Sequence, residues 1–180
     1  MDQEILSVRE ICTADISAIT NYWLKAKPDF LLSMGVDASK IPSGEEWNSM
    51  LKGQIGQPYR EKKSYCLIWE ETGTAIGHCN VNPVEFGTQA YMHLHMWNKE
   101  KRRTGLGLSL IRLSLPWFFE RMNLQKLYCQ PYALNPAPNK TIAKAGFEFV
   151  KTHQCVPGWL NFEQEVNLWL MTREKFLGLK

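Results

Sequence analysis

The sequence predicts a mixed α/β fold built as one domain, residues 1–180, and three observations carry that prediction. Residues 64–97 hold three strand-like runs joined by tight turns, the pattern of consecutive antiparallel hairpins. Beyond them, strand-length and helix-length runs alternate, as they do in crossover units. Hydrophobic residues make up 44% of the 180 and charged residues 22%, enough apolar surface for one sizeable core. The expected sheet is therefore mostly antiparallel but not purely so, with about seven strands and flanking helices.

Each element has a local reason. Glu4 to Ile11 alternates as a strand does. Thr13 is a suitable N-cap for a helix from Ala14 to Lys25, with Ile16, Ile19, Tyr22 and Trp23 on one face. Pro28 interrupts, and Asp29 to Met34 reads as a short helix stopped by Gly35. Ser43-Gly44-Glu45-Glu46 has capping-box spacing and starts a helix that runs to Gly53. Ser64 to Glu70 and Ala75 to Val81 pair across the turn Glu71-Thr72-Gly73-Thr74. The second of these strands extends to Phe86, past an irregularity at Asn82-Pro83, and Gln89 to Trp97 follows. A helix from Thr104 or Gly105 to Met122 contains Pro116, which removes one ladder bond and predicts an irregularity there. Leu124 to Gln130 is a strand, and Pro138 to Ala145 a short helix with a proline suited to its first turn. The strands Phe147 to Val156 and Gln164 to Met171 close the chain around a Pro157-Gly158-Trp159 loop.

Composition excludes several classes. A net charge of +3 is too small for a nucleic-acid footprint, and the basic cluster Lys99, Lys101, Arg102, Arg103 is interrupted by Glu100. No apolar run approaches the roughly 18 residues of a membrane span. The acidic start Met1-Asp2-Gln3-Glu4 does not read as a signal peptide. Five scattered cysteines without a Cys-x-x-Cys pair fit a reduced, cytoplasmic compartment. The expectation is no nucleic acid and no membrane, with a homodimer left open.

One stretch points to function. Asn98 to Ser109 joins a strand to a helix through a basic turn bearing Gly105 and Gly107. The first helical N–H groups lack intrahelical partners, and the helix dipole adds positive charge there, so the turn suits a phosphate. A Walker loop is absent, and the dinucleotide fingerprint fails because Leu110 stands where its last glycine belongs. The string Arg102-x-x-Gly105-x-Gly107 resembles the pyrophosphate signature of the GNAT superfamily of N-acetyltransferases. Asn135 to Lys144, followed by Ala145-Gly146-Phe147, resembles the superfamily's second marker, in the correct order downstream. The resemblance covers the chain from about Ser64 onward, and the first sixty or so residues more loosely.

The resemblance implies the GNAT fold, with fourth and fifth strands splayed, and acetyl-CoA as acyl donor without a metal. It implies that the backbone of Leu94, Met96, Trp97 and Asn98 faces the pantetheine arm, with an amide near Met96 polarising the thioester carbonyl. Arg102, Arg103, Thr104, Gly105, Leu106 and Gly107 would hold the pyrophosphate, and Asn135 and Asn139 would contact the coenzyme unless they act as helix caps. Many relatives carry a Glu base where this chain has Met92, with His93 beside it. No carboxylate occurs from Thr88 to Lys99, but His93 and His95 share one strand face, and histidine titrates near neutral pH. They are the candidate bases, against the alternative of buried, hydrogen-bonded histidines. The thiolate-protonating Tyr of many relatives is replaced by Ile142, as in the subgroup that acetylates protein N-termini, the Rim-type members. Tyr132 is the substitute candidate, with Tyr128 nearby. Trp23, Phe30, Trp47, Trp159 and Phe162 are candidate pocket walls or core. The function expected is acetyl transfer to a primary amine of a small molecule or protein. The alternative is an inactive acyl-CoA-binding sensor or interaction module.

Overall fold

The computed structural model describes residues 5–102 and 104–179; the expected strand start at Glu4 and the expected pyrophosphate contact Arg103 lie outside them. Seven strands form one sheet: β1 (Leu6–Glu10), β2 (Tyr65–Glu71), β3 (Thr74–Glu85), β4 (Gln89–Met96), β5 (Lys126–Cys129), β6 (Glu148–Cys155) and β7 (Gln164–Thr172). Their spatial order is β1-β2-β3-β4-β5-β7-β6. Every pairing is antiparallel except that of β4 with β5, so the sheet is mixed and mostly antiparallel, as the sequence predicts.

The helices are α1 (Ile16–Leu24), α2 (Pro28–Ser33), α3 (Gly44–Gln54), α4 (Leu106–Pro116), α5 (Pro136–Lys144) and α6 (Arg173–Leu177). The predicted capping box forms: the Glu46 amide donates to Ser43 Oγ at 3.3 Å, and the Ser43 amide donates to Glu46 at 2.8 Å. Thr13 is not the N-cap. A 3-10 turn over Thr13–Asp15 precedes α1, and the Cys12 amide donates to the Asp15 carboxylate at 2.8 Å. The irregularity expected at Pro116 is a π turn over Trp117–Arg121 directly after α4. The helix α5 starts two residues earlier than expected, with Pro136 in its first turn, and α6 is an addition.

Two cores flank the sheet. One packs Leu110, Ile111 and Leu115 of α4, Ile142 of α5 and Phe176 of α6 against Leu67, Cys79, Val81 and Met92. The other packs Ile19 and Trp23 of α1, Leu31 of α2 and Trp47 of α3 against Cys66 and Ile68. Strand alternation divides β4 between them. Ala90, Met92, Leu94 and Met96 face the α4 side, so His93 and His95 face the side that α1 and α2 cover.

Candidate active site

A gap opens in the sheet beside β4. It pairs with β5 only from Gln89 to Met92. Past Cys129 the chain leaves β4 and follows β7: the Asn167 amide donates to Pro131 O at 3.1 Å, and the Ala133 amide to Glu165 O at 2.9 Å. The far half of β4 thus keeps one free edge. The Trp97 amide donates to Ile76 O at 2.9 Å, toward β3, so by alternation the peptide groups of Leu94 and Met96 turn into the gap. That is the placement the resemblance implies for these two residues; the Leu94 peptide group and the Met96 amide are open to a ligand that pairs as a strand does, while Met96 O accepts from Arg102.

The basic turn sits at the end of this edge. Gly105 is the N-cap residue of α4 at φ 94°, a conformation that glycine adopts without Cβ strain. Leu106 and Gly107 open the helix, where N–H groups have no intrahelical acceptor and the dipole is positive. The site can therefore receive a phosphate on backbone donors alone.

Two expected coenzyme contacts, Arg102 and Asn139, have other partners, and Trp97, whose backbone is expected to face the arm, turns its amide toward β3 instead. The Asn98 side chain caps the 3-10 turn over Lys99–Lys101, accepting from the Glu100 amide at 2.9 Å. Arg102 turns away from the glycine turn: its Nε and Nη2 both donate to Met96 O, at 3.1 and 2.8 Å, and its guanidinium lies 4.2 Å from the centre of the Phe30 ring. Asn139 is buried and saturated. Its Nδ2 donates to Tyr132 O and Asn135 O, while its Oδ1 accepts from Asn167 Nδ2 and Trp169 Nε1. With two donors and two acceptor positions all taken, this side chain ties α5 to β7 and has nothing left for a coenzyme. Asn135 is the N-cap residue of α5 without a side-chain cap bond, so its amide group stays available. Thr104 Oγ1 donates to Lys101 O at 2.8 Å and shapes the turn.

The other face of β4 carries a histidine cluster, one member of which the sequence did not reveal. In the β3–β4 register His78 stands opposite His95, and Asn80 opposite His93. The His78 and His95 rings stack at 4.4 Å, with Tyr22 and Trp23 edge-on to His95 at 5.5 and 5.0 Å. The Trp97 indole donates to His78 Nδ1 at 2.7 Å. An indole N–H can only donate, so this ring is held neutral, and burial pushes its pKa down to about 3. Burial also holds His95 well below the usual histidine range, helped by the neighbouring histidines. Its Nδ1 lies 3.3 Å from the Tyr22 hydroxyl.

His93 differs. Its Nε2 lies 3.0 Å from Asn82 O. A carbonyl can only accept, so Nε2 carries the proton and Nδ1 keeps a lone pair, which has no partner among the described residues. Burial lowers its pKa, and the bond to Asn82 opposes that shift. Gly158 of the β6–β7 loop lies over this ring; a Cβ there would stand 3.7 Å from His93 Cε1.

The remaining candidates sort by position. Tyr132 forms an isolated bridge to Val166 where β5 leaves the gap, edge-on to Phe162 at 6.1 Å. Trp23 and Trp47 are buried and stacked at 5.9 Å, and Trp159 covers Trp47 at 5.7 Å while 44% exposed. Ile142 is core. Cys129 is also core: its Sγ donates to Met92 O at 3.2 Å, and burial pushes the thiol up to about 12. Among the described residues, no group of three or more His, Cys, Asp or Glu is arranged to hold a metal ion.

Residues 6–148 match the family model described as Acetyltransferase (GNAT) domain. No curated protein matches the sequence. Among solved structures, the Vibrio cholerae spermidine N-acetyltransferase in complex with CoA and spermine superposes with a TM-score of 0.78 at 18% identity, covering 96% of this chain and 98% of that one. A RimL ribosomal L7/L12 alpha-N-protein acetyltransferase in complex with coenzyme A superposes at 0.74 with 16% identity, covering 93% of each chain. At these identities the likeness is one of fold. Since polyamine and protein acetyltransferases stand equally near, it does not single out the Rim-type subgroup.

Proposed function

This chain belongs to the GNAT acetyltransferase family, and on that premise we propose that it moves an acetyl group directly from acetyl-CoA to a primary amine, with His93 as general base. The observation that carries the reading is the state of His93. Its tautomer is fixed by a carbonyl, its Nδ1 lone pair is unclaimed, and it lies on the strand whose other residues line the gap. His95 is the weaker base candidate: it is stacked, its pKa is held lower, and its neighbour Tyr22 is a hydroxyl that can donate or accept.

In this reading the pantetheine arm pairs with the free edge of β4 at Leu94 and the Met96 amide, and the turn at Gly105 to Gly107 takes the pyrophosphate. The acceptor enters as a neutral amine after its ammonium proton is lost. Its nitrogen attacks the thioester carbonyl, a proton passes from nitrogen to His93 Nδ1, and the C–S bond breaks. The thiolate takes a proton from Tyr132, whose hydroxyl has no partner among the described residues. General acid–base catalysis of this kind is worth about 10²–10⁴ in rate.

Thiol release from acetyl-CoA over a panel of primary amines tests the proposal. His93→Gln lowers the rate by about 10²–10⁴ and leaves acetyl-CoA affinity within about twofold. In the wild type, at saturating amine, kcat has an acid limb that lies below the ordinary histidine value of about 6.5, because a base with a lowered pKa is protonated and loses its lone pair only further into acid. Unchanged turnover and an unchanged acid limb in the variant would falsify His93 as the base. Binding of acetyl-CoA without thiol release to any amine would make the chain a coenzyme-binding sensor or interaction module.

A further inference from the structure

The guanidinium of Arg102 is a cation on the acceptor side of the sheet. It stacks on Phe30 of α2, Phe30 lies edge-on to Tyr22 at 6.1 Å, and Tyr22 reaches His95. Its charge is felt at the Tyr22 hydroxyl. Two of its five N–H groups are used by Met96 O, and Nη1 bonds nothing among the described residues. Among the described residues it forms no ion pair with a carboxylate. Asp15 and Glu70 are held by Arg9, Glu10 by Tyr65, Glu71 by Lys101, Asp37 by Ser39 and Glu46 by Ser43. Asp29 is exposed on α2. The other titratable groups of this face, His78, His93 and His95, are kept uncharged by burial. Among the described residues this guanidinium is therefore a positive charge without a carboxylate partner on the acceptor side, held as a planar fork by a ring and a carbonyl.

We infer that Arg102 selects the acceptor, and that the acceptor is a primary amine that also carries a carboxylate, which the free edge of the guanidinium binds. This rests on the acetyl-transfer reading above and names the substrate class of the same site. A polyamine fits poorly, since it would bring only further positive charge beside Arg102. The role also explains why the first residue of the glycine motif points toward α2: it ties the coenzyme turn, the end of β4 and the acceptor-side helix into one contact.

The test uses matched amines that differ only in a carboxylate or the corresponding carboxamide, on several scaffolds, with spermidine as a cationic comparison. The expected result is a kcat/KM at least tenfold higher for the carboxylates. Arg102→Met abolishes that preference mainly through KM, Arg102→Lys restores part of it, and Phe30→Leu weakens it without removing the charge. Acetyl-CoA affinity, measured by calorimetry, stays within about threefold in all three variants. Equal use of both members of a pair, preference for spermidine, or no turnover of any carboxylated amine overturns the inference. So does an Arg102→Met variant whose main defect is in acetyl-CoA affinity, which would return this side chain to the pyrophosphate. If acetyl-CoA itself fails to bind the wild type, the acetyl-transfer reading fails instead; if it binds and carboxamides are preferred, only the acceptor class is wrong.

Discussion

In the proposed acetyl transfer, a cysteine on β5 invites a covalent route, and the surroundings of Cys129 argue against it. The thiolate is the nucleophile, and this thiol is pushed up to about 12 because it is buried and no cation faces it. It also spends its proton on Met92 O. Cys129→Ala is therefore expected to keep turnover within about threefold, losing roughly 1 kcal/mol of stability for the deleted sulfur. Intact-mass spectra taken during turnover show no acetylated protein; a stable acyl adduct on Cys129 would reverse the conclusion. The histidines show how far residue reading goes from sequence. The His93 and His95 pair is visible as a spacing of two along one strand. His78 is not, because its place depends on register. Glu85 pairs with Gln89 and Val84 with Ala90, and that register continued without a break would set His78 against Met96. The irregularity between Val81 and Val84 shifts the pairing by one residue and brings His78 opposite His95. A proline in the strand announced an irregularity, but not its effect on register.

At the scale of elements, signals confined to a few residues were legible. The Ser43–Glu46 capping box, the Thr72-Gly73 turn and the break at Pro116 depend on local geometry, and each forms where expected. The short α6 has five residues and too little periodicity to read. Side-chain roles in the turn were less legible than its backbone: Arg102 and Asn139 fit the motif by position, yet their partners come from distant elements. The two glycines of the turn make a paired prediction. At Gly105 a Cβ meets nothing within 4 Å, but φ 94° is unfavourable for any L side chain. Gly105→Ala should thus cost about 1–2 kcal/mol and lower Tm by a few degrees. Gly107 has no positive φ, and its Cβ would meet only Thr141 Cγ2 at 3.9 Å. Gly107→Ala should leave the melting temperature unchanged or raise it, since alanine is the better helix former. If the turn cradles a pyrophosphate on its backbone amides, Gly105→Ala, which strains that backbone, also lowers acetyl-CoA affinity at least tenfold, while Gly107→Ala keeps it within about threefold. Thermal melts and coenzyme titrations separate the two effects; a Gly105→Ala protein with intact affinity would remove the phosphate from this turn.

Across the whole molecule, the cluster that serves the site also makes the fold sensitive to acid. His78, 3% exposed, has a folded pKa of about 3 against about 6.5 unfolded, and His93 and His95 are lowered too. Between those values the unfolded chain binds a proton that the folded chain does not, so stability rises with pH there. The contribution is fully present above about pH 6.5 and is lost as the pH falls toward the folded value. For His78 alone the slope approaches about 1.4 kcal/mol per pH unit below 6.5, or roughly 2 kcal/mol in all between pH 6.5 and 4.5. That is a large share of the 5–15 kcal/mol that typically holds a domain together. The carboxylates Asp15, Asp37 and Glu46 are lowered by their hydrogen-bonded or charged neighbours, so their own contribution is lost as the pH falls from the unfolded carboxylate value of about 4 toward their folded values. Most of the pH 4.5–6.5 window thus belongs to the histidines. Urea unfolding at a series of pH values should show stability falling across it by at least the His78 amount. His78→Gln, which keeps an acceptor for the Trp97 indole, should flatten the slope by about 1.4 kcal/mol per pH unit. A wild-type stability that is level from pH 6.5 to 4.5 would mean that these rings are not buried neutral in solution, and the tautomer that makes His93 a base would lose its structural support.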